Sequence, residues 1–358
     1  MAETNKEIVL SGIRATGNLH LGNYYGALRK FVAVQDDYDC NFFIADLHAL
    51  TTNPDPAQLH ANVKSILAEY LAAGLDPEKS TIFVQSDVPE IAEMYLLLNM
   101  HVGIGELMRT TSFKDKARKA LGITPAADND SDEAFEKEII GASTNKRVNA
   151  GLLTYPTLMA VDILIQKATK VPVGKDQLQH LELTRRFARR FNSFYGVELF
   201  PEPSDFDFGG ASVKVPGLDG SGKMGKSEGN CIYLIDDPKV LRKKVMRAVT
   251  DEGPQTPDSP LSEPIANLFT LLELTSSPDV VKHFRDAYAD CSIRYGDLKK
   301  QLAEDILTVT TPIRERVNDI LADETYLAKV VKMGAERARE RAANTLSEMR
   351  HIMGIRKF

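Results

Sequence analysis

Two lysines, three residues apart, follow a cluster of glycines past the middle of the chain. Gly217, Gly220 and Gly222 precede the run Lys223-Met-Gly-Lys226-Ser227. Glycine lets a loop adopt many conformations, and ammonium groups neutralise a bound phosphate when such a loop closes over it. The segment therefore predicts a mobile loop that closes on an anionic ligand.

A second glycine-rich turn lies near the start of the chain. It follows the apolar run Glu7 to Leu10 and precedes Tyr24 to Val34, where apolar residues recur at helical spacing. A helix that begins after such a turn points its free N–H groups and the positive end of its dipole at the turn, which suits phosphate. His20 and Asn23 can point into the same space. The same pattern occurs in α/β proteins that bind no nucleotide, so this turn alone leaves the function open.

A third feature is a carboxylate within an apolar helix. Tyr155, Met159 and Asp162 share one face of a helix predicted over Thr154 to Ile165, with Thr154 as its N-cap and Pro156 in its first turn. A carboxylate among apolar residues needs a hydrogen-bond donor. That donor is either an internal arginine or backbone group, or an N–H or O–H group of a ligand.

Composition and charge describe an ordinary soluble protein. The chain has 358 residues, 43% apolar and 26% charged, enough for two domains. No apolar run approaches the roughly 20 residues of a membrane span, and the first residues are charged, so we expect a cytoplasmic protein without a membrane partner. The net charge of −6 argues against general attraction to nucleic acid, and we expect no DNA partner. Any RNA contact must use a local basic face.

The three cysteines, Cys40, Cys231 and Cys291, are far apart in the sequence. Neither a C-x-x-C metal site nor an iron–sulfur motif can be written from them. Free thiols are typical of a reducing compartment. We therefore expect no metal ligated by the protein itself.

Strands and helices alternate in the first part of the chain, which predicts a parallel, doubly wound sheet. The predicted elements are a strand over Asn41 to His48, a helix over Asn53 to Gly74, a strand over Thr81 to Val84, a short strand and turn over Val171 to Gln177 and a helix over Gln179 to Phe191. Residues 118–147 are polar and charged, and we interpret them as a mobile surface insertion.

Only helices are predicted beyond Asp236. They span Lys239 to Val249, Ile265 to Leu274, Val280 to Ala289, Ile293 to Leu307, Pro312 to Ile320 and Glu324 to Met353, with a proline-rich linker over Asp251 to Pro264. We therefore predict a Rossmann-like domain over residues 1–236 and a helical domain over residues 237–358. The last helix is a candidate to pack back on the first domain.

Several motifs together carry a resemblance to a known family. In their order and spacing, His20-Leu-Gly-Asn23, Gly174-Lys-Asp-Gln177 and Lys223-Met-Gly-Lys-Ser227 resemble the signatures of class I aminoacyl-tRNA synthetases. Within that class, the runs Gly151 to Pro156, Met159 to Leu164, Val171 to Gly174 and Gln179 to Arg185 look like the bacterial tryptophanyl-tRNA synthetases. The similarity extends from about Leu10 to the C-terminus and omits residues 118–147.

The resemblance implies which residues bind each substrate. The implied ATP-binding residues are Arg14, Ala15, Thr16, Gly22, Asn23, Gly174, Lys175, Asp176, Val213, Lys223, Met224, Gly225, Lys226 and Ser227. The implied tryptophan-binding residues are Leu10, His48, Tyr155, Met159, Asp162, Val171, Val173 and Gln177. Among them, Tyr155 and Gln177 would hold the α-amino group and Asp162 the indole N–H. His20, Asn23, Lys223 and Lys226 are implied to be catalytic.

The resemblance also implies the reaction and its partners. Tryptophan, activated by ATP carrying Mg²⁺, forms tryptophanyl-adenylate and pyrophosphate, and is then transferred to tRNA(Trp). The helical domain would hold the anticodon end of the tRNA. The family is usually homodimeric, and the Met-rich segment Ile91 to Met108 is a candidate for the interface.

Three features depart from the family pattern. Arg14 stands where many relatives have Gln, Leu10 where an aromatic residue is common, and Gly225 where the signature has Ser. Arg14 adds a full positive charge beside the implied positions of the carboxylate and phosphates. The identity of the enzyme is unaffected, but its ATP affinity and inhibitor profile are open.

Other functions remain as alternatives. A tyrosyl-tRNA synthetase shares the fold, both signatures and an acceptor for the polar atom of the substrate's side chain. The small Val171 and Val173 favour tryptophan over tyrosine, because they leave room for a bicyclic ring. A non-catalytic synthetase-like protein would bind nucleotide or RNA, but Lys223 and Lys226 are intact. Small nucleotidyltransferases of the same superfamily lack the long helical domain.

Overall fold

The centre of the molecule is a parallel sheet of five strands in the order β3-β2-β1-β4-β5. The computed structural model describes residues 6–122, 135, 148–174, 177–208, 213–257 and 259–355, so Lys175, Asp176 and most of the predicted insertion 118–147 lie outside the described residues. The strands are β1 (Ile8–Arg14), β2 (Asp39–Ala45), β3 (Thr81–Val84), β4 (Lys170–Val171) and β5 (Ser204–Asp205). The parallel sheet predicted from the alternating pattern is confirmed.

The sheet explains where a ligand can bind. Strand β2 is buried from Cys40 to Ala45, as its apolar run predicts for a strand covered on both faces. From β1 the chain first builds the sheet outward through β2 and β3 and then returns to place β4 on the other side of β1. Ligands of such sheets bind at the carboxyl ends of the strands where the order reverses. Here that point lies between β1 and β4.

Helices cover both faces of the sheet. In the first part of the chain they are α1 (Leu21–Asn23), which continues through a π-helical turn (Tyr24–Leu28) into α2 (Arg29–Val34), then α3 (Asp46–Ala49), α4 (Pro56–Ala72), α5 (Glu90–Asn99), α6 (Ile104–Met108), α7 (Thr111–Leu121), α8 (Ala150–Ile165) and α9 (Leu178–Tyr195). Short 3₁₀ turns span Leu50–Thr52, Gln85–Asp87 and Lys226–Glu228. Among the described residues, no helix is both long and apolar enough to cross a membrane.

The predicted start of α8 was wrong. The helix begins at Ala150, because the Asn149 side chain accepts a hydrogen bond from the backbone N–H of Leu152 at 2.9 Å and caps it. The Thr154 hydroxyl instead donates to the Ala150 carbonyl, and Pro156 lies inside the helix. Pro156 therefore removes one backbone hydrogen bond and does not mark the first turn.

The second part of the chain is helical, as predicted. Its helices are α10 (Pro238–Met246), α11 (Glu263–Thr275), α12 (Pro278–Ala289), α13 (Tyr295–Ala322) and α14 (Glu324–Ile352). The helices predicted over Ile293 to Leu307 and over Pro312 to Ile320 form a single helix, since α13 continues through Pro312. One apolar core joins Val9 and Phe42 of the sheet to Leu241 and Leu302 of these helices. The predicted boundary between residues 236 and 237 stays a prediction.

The last helix, α14, lies against the edge strand β3. Its Arg341 pairs with Asp39 at 2.6 Å, and the Gln166 side chain donates to the Ala338 carbonyl at 3.0 Å. Gly334 lies so close to the strand that a Cβ atom there would be 1.7 Å from the Ile82 carbonyl oxygen. The helix thus shields a strand edge that would otherwise be open to other chains.

We expect Gly334→Ala to lower the free energy of unfolding by about 3 kcal/mol, because the added methyl group must push α14 off the rigid backbone of β3. Gly296→Ala is the matched control, since Gly296 is also helical and has open space around its Cβ position. Alanine there should be neutral or stabilising by up to about 1 kcal/mol. Denaturant unfolding of both variants tests this, and equal stability would contradict the close contact.

Candidate active site

A cavity of about 480 Å³ opens at the carboxyl end of β1, between β1 and β4. This volume is in the range of about 300–1,000 Å³ typical of small-molecule sites. Ten of the residues implied by the sequence line it, namely Leu10, Arg14, His48, Tyr155, Met159, Asp162, Val171, Val173, Gly174 and Gln177. All eight implied tryptophan-binding residues are therefore brought together around one space.

Asp162 is the buried carboxylate of this cavity, with 3% of its surface exposed. Among the residues that the structure describes, its donors are two side chains, and neither is an arginine. The Gln85 side chain donates to the two carboxylate oxygens at 2.8 and 2.9 Å, and His48 Nε2 lies 3.0 Å from Oδ2. Burial raises the pKa of the Asp162 carboxyl, and the His48 and Gln85 contacts oppose that rise. A carboxylate offers about four lone-pair positions, so Asp162 keeps capacity for a ligand donor.

Gln85 is a contact of Asp162 that was not predicted from the sequence. It lies in the 3₁₀ turn directly after β3, is fully buried, and its side-chain oxygen accepts from the His48 backbone N–H at 3.4 Å. The available signal was its position, because a polar residue directly after a buried strand lies at the edge where α/β sheets bind ligands.

Tyr155 forms one wall of the cavity and contacts residues of two other helices, α9 and α7. Its hydroxyl lies 2.5 Å from His180 Nε2, and the Lys116 ammonium lies 3.9 Å from the centroid of its ring. Lys116 also lines the cavity, so it adds positive charge to the site. No pattern in the sequence singled out Lys116, and His180 lies within the run Gln179 to Arg185 without an implied role.

His20 and Asn23 cap the start of α1. The Asn23 backbone N–H donates to His20 Nδ1 at 3.3 Å, and the His20 backbone N–H donates to Asn23 Oδ1 at 3.1 Å. Each side chain thus accepts a hydrogen bond from the backbone N–H of the other residue. Burial and the charges of Lys226 and Lys223 lower the pKa of His20 to about 4, so its ring is neutral at pH 7. A Cβ atom at Gly22 would lie 2.8 Å from the His20 ring, which explains the glycine.

The two signatures are neighbours in space. The backbone N–H of Leu21 donates to the Ile232 carbonyl at 3.0 Å, and that of Leu234 donates to the Leu19 carbonyl at 2.9 Å. Lys226 reaches back across this pairing and donates to the Gly17 carbonyl at 2.6 Å. Burial lowers the pKa of Lys226, and the nearby carboxyl of Glu69 opposes this. The lysine loop therefore contacts the glycine-rich turn.

Glu69, on α4, fixes the end of that turn. It is fully buried and accepts from the Leu19 backbone N–H at 2.8 Å and from the Ser65 hydroxyl at 3.1 Å. Burial raises its pKa to about 7. Glu69 could not be predicted as a buried residue from the sequence, because a glutamate within a long helix is normally exposed.

The remaining implied ATP residues lie around the two signatures. Met224 is buried and its N–H donates to the Val215 carbonyl at 2.8 Å, the Gly225 N–H donates to Asn230 at 2.9 Å, and the Ser227 hydroxyl donates to Glu228 at 2.9 Å. The Val213 carbonyl faces Gly26 of the π-helical turn. Ala15 is buried with its carbonyl bonded to Asn62, whereas Thr16 is exposed. His20, Asn23, Lys223 and Lys226 do not line the 480 Å³ cavity.

Arg14 connects the cavity with the lysine loop. Its side chain is exposed and lines the cavity, and its charge contributes to the lowered pKa of Lys226. Positive charge thus extends from the cavity to the loop. In the part of the chain that the structure describes, no group of three His, Cys, Asp or Glu side chains is arranged to hold a metal ion.

Comparison with known proteins gives a consistent result. Residues 2–310 match the family described as tRNA synthetases class I (W and Y). Over 350 residues the chain is 60% identical to the tryptophan–tRNA ligase of Porphyromonas gingivalis, covering 98% of this chain and 100% of the relative. It is 39% identical to that of Clostridium tetani, covering 99% and 97%. The tryptophanyl-tRNA synthetase of Campylobacter jejuni, solved with ADP and tryptophan, superposes with a TM-score of 0.80 at 31% identity, covering 97% and 99%.

Proposed function

We infer that this chain, which belongs to the class I tRNA synthetases of the tryptophan and tyrosine group, is a tryptophan–tRNA ligase. It activates L-tryptophan with ATP and transfers it to tRNA(Trp). The observation that carries this conclusion is the 60% identity to a tryptophan–tRNA ligase over nearly the whole chain. The buried acceptor Asp162 in an amino-acid-sized cavity supports it.

The cavity is suited to tryptophan. The indole ring packs between Met159, Val171 and Val173, which line the cavity. Its N–H donates to Asp162, which Gln85 and His48 hold in place. Tyr155 and Gln177 bind the α-amino group. The carboxylate then faces the open side of the cavity, toward Arg14 and the glycine-rich turn.

ATP occupies the space between that turn and the lysine loop, and its phosphates carry Mg²⁺ as part of the substrate. A carboxylate oxygen of tryptophan attacks the α-phosphorus, and the bond from that phosphorus to the oxygen bridging to the β-phosphate breaks. Pyrophosphate leaves with the electron pair. Lys223 and Lys226 stabilise the charge that develops on it, so positioning and electrostatics provide the catalysis.

The second step moves the tryptophanyl group to a ribose hydroxyl at the 3′ end of tRNA(Trp) and releases AMP. The helices beyond residue 236 hold the anticodon end of the tRNA. Because the net charge of the chain is −6, this contact depends on local basic surface. The proposed location of the enzyme is the cytoplasm. The free thiols of Cys40, Cys231 and Cys291 are typical of such a reducing compartment.

Charging of transcribed tRNA tests the function directly. The purified chain should attach labelled tryptophan to a tRNA(Trp) transcript and leave a tRNA(Tyr) transcript uncharged with either amino acid. Charging of tRNA(Tyr) with tyrosine would support the tyrosine alternative. Formation of neither product, with both transcripts active toward a reference enzyme, would support the non-catalytic alternative.

We also propose that the protein is a homodimer. Four large apolar side chains are strongly exposed on and beside the segment Ile91 to Met108, namely Leu96 (57%), Met100 (68%), Ile104 (66%) and Phe194 (71%). The ring of His101, which follows Met100 in the chain, lies 5.5 Å from that of Phe194, so Phe194 lies beside this segment. A patch of this kind indicates a protein interface, and a second copy of the chain is the occupant we propose.

Sedimentation at micromolar concentration should give twice the chain mass of 39.6 kDa. Phe194→Asp should convert the dimer to a folded monomer, because a carboxylate is buried without a partner in the interface. Val240→Asp is the control, since Val240 is 46% exposed on α10, outside the patch. A monomeric wild type, or a Phe194→Asp protein that remains dimeric, would rule out this interface.

A further inference from the structure

His180 is a fully buried histidine that does not line the cavity, yet it contacts the hydroxyl group of Tyr155, which does. The distance from Tyr155 Oη to His180 Nε2 is 2.5 Å. The two rings meet edge to face, with centroids 5.0 Å apart. The orientation of the Tyr155 hydroxyl is therefore set by a residue outside the substrate space.

We propose that His180 is a positioning residue that accepts the Tyr155 hydroxyl proton, so that the Tyr155 oxygen can accept a hydrogen bond from the α-ammonium group of tryptophan. This inference rests on the proposed function, since it concerns how the same cavity recognises the amino group. It assigns to His180 a role in distinguishing an amino acid from an indole compound without an amino group.

The chemistry of the two groups requires such an arrangement. An ammonium group has only donors, so each of its partners must present a lone pair. A tyrosine hydroxyl carries one proton, and if that proton pointed into the cavity it would oppose the ammonium. With the proton donated to His180 Nε2, the lone pairs of the oxygen are available to the substrate. This arrangement places the lone pair of the His180 ring on Nε2.

Ser112 is the competing partner of the same nitrogen, since its hydroxyl lies 3.0 Å from His180 Nε2. Nε2 offers a single lone pair. Tyr155 makes the shorter contact and has the more acidic hydroxyl, so it is the better donor. Ser112 lies in the first turn of α7, and Lys116 of the same helix lies over the Tyr155 ring. Helix α7 therefore holds both His180 and Tyr155.

The position of His180 in the chain fits this role. Gln177, the other residue assigned to the α-amino group, lies three residues earlier and lines the cavity. Gln177 is the N-cap residue of α9 and His180 lies in the first turn, so the start of this helix supplies both residues. One helix thus supplies a direct ligand and the residue that orients a second ligand from α8.

Binding of two ligands to variants tests the proposal. Because the chain contains no tryptophan, the fluorescence anisotropy of bound L-tryptophan or indolepropionate, which lacks the amino group, can be followed without interference. His180→Phe should weaken L-tryptophan about tenfold, the effect of one charge-assisted hydrogen bond, and change indolepropionate less than about twofold. His180→Gln, whose side-chain oxygen can accept from Tyr155, should restore most of the affinity for L-tryptophan.

A double-mutant cycle gives the second readout. In a Tyr155→Phe background, His180→Phe should cause no further loss of L-tryptophan relative to indolepropionate, because the hydroxyl it orients is gone. Equal weakening of both ligands by His180→Phe, or the same additional loss in the Tyr155→Phe background, would overturn the proposal. If the wild type failed to bind L-tryptophan at all, the proposed function would fail instead.

Discussion

Asp162→Ala should lower kcat/KM for tryptophan-dependent ATP–pyrophosphate exchange by about 10³-fold. The variant loses the proposed acceptor of the indole N–H and leaves the buried donors of Gln85 and His48 unpaired. Each unpaired buried group costs about 1–3 kcal/mol, and about 1.4 kcal/mol corresponds to a factor of ten. Initial rates of exchange over a range of tryptophan concentrations measure the effect.

The control for this variant is a change of substrate. A tryptophan analogue with sulfur in place of the indole N–H offers no donor to Asp162. Wild type should reject it strongly, because a site built to pair a polar group discriminates against its absence by up to about 10⁴-fold. Asp162→Ala should lose most of that discrimination. An undiminished Asp162→Ala enzyme, or one that discriminates as well as wild type, would remove Asp162 from substrate selection.

Lys226→Ala should reduce kcat of tryptophan activation by about 10²-fold or more and change ATP affinity much less. In the structure the Lys226 ammonium is occupied by the Gly17 carbonyl at 2.6 Å. We therefore expect ATP binding in the ground state to depend little on Lys226. When charge develops on the leaving pyrophosphate, the ammonium gains more by moving to it than by staying on a neutral carbonyl.

Lys239→Ala is the matched control, since Lys239 is an exposed lysine at the start of α10. Lys239→Ala should leave kcat of tryptophan activation and the affinity for ATP within about twofold of wild type, as for other surface substitutions. Single-turnover formation of tryptophanyl-adenylate, together with equilibrium binding of ATP, separates rate from affinity. If Lys226→Ala lowered the activation rate and the ATP affinity by the same factor, the lysine would be a ground-state ligand and not a stabiliser of the transition state.

Much of the fold could be predicted from the sequence because its signals are local. The buried run Cys40 to Ala45 and the strand Thr81–Val84 are dictated by apolar residues and turns within a few positions. Proline misled the predictions where tertiary packing outweighed local preference. Pro156 and Pro312 each lie inside a helix whose neighbours hold it in place.

Ten residues that line the cavity could also be predicted, because most of them lie in the short motifs that carry the family resemblance. The supporting residues could not, since each comes from an element distant in sequence from the group it contacts. Gln85 reaches Asp162, Glu69 reaches Leu19, and His180 reaches Tyr155. These pairings exist only once the sheet has assembled. A single sequence shows such residues as ordinary buried or helical polar positions.

The most direct test of this account is ATP–pyrophosphate exchange measured with each of the twenty amino acids in turn. We predict exchange with tryptophan far above every other amino acid, with phenylalanine inactive because it offers no donor to Asp162, and with tyrosine lower by several orders of magnitude. Exchange driven by tyrosine above tryptophan would contradict the assignment of the substrate. Exchange with none of the twenty would contradict the assignment of the reaction.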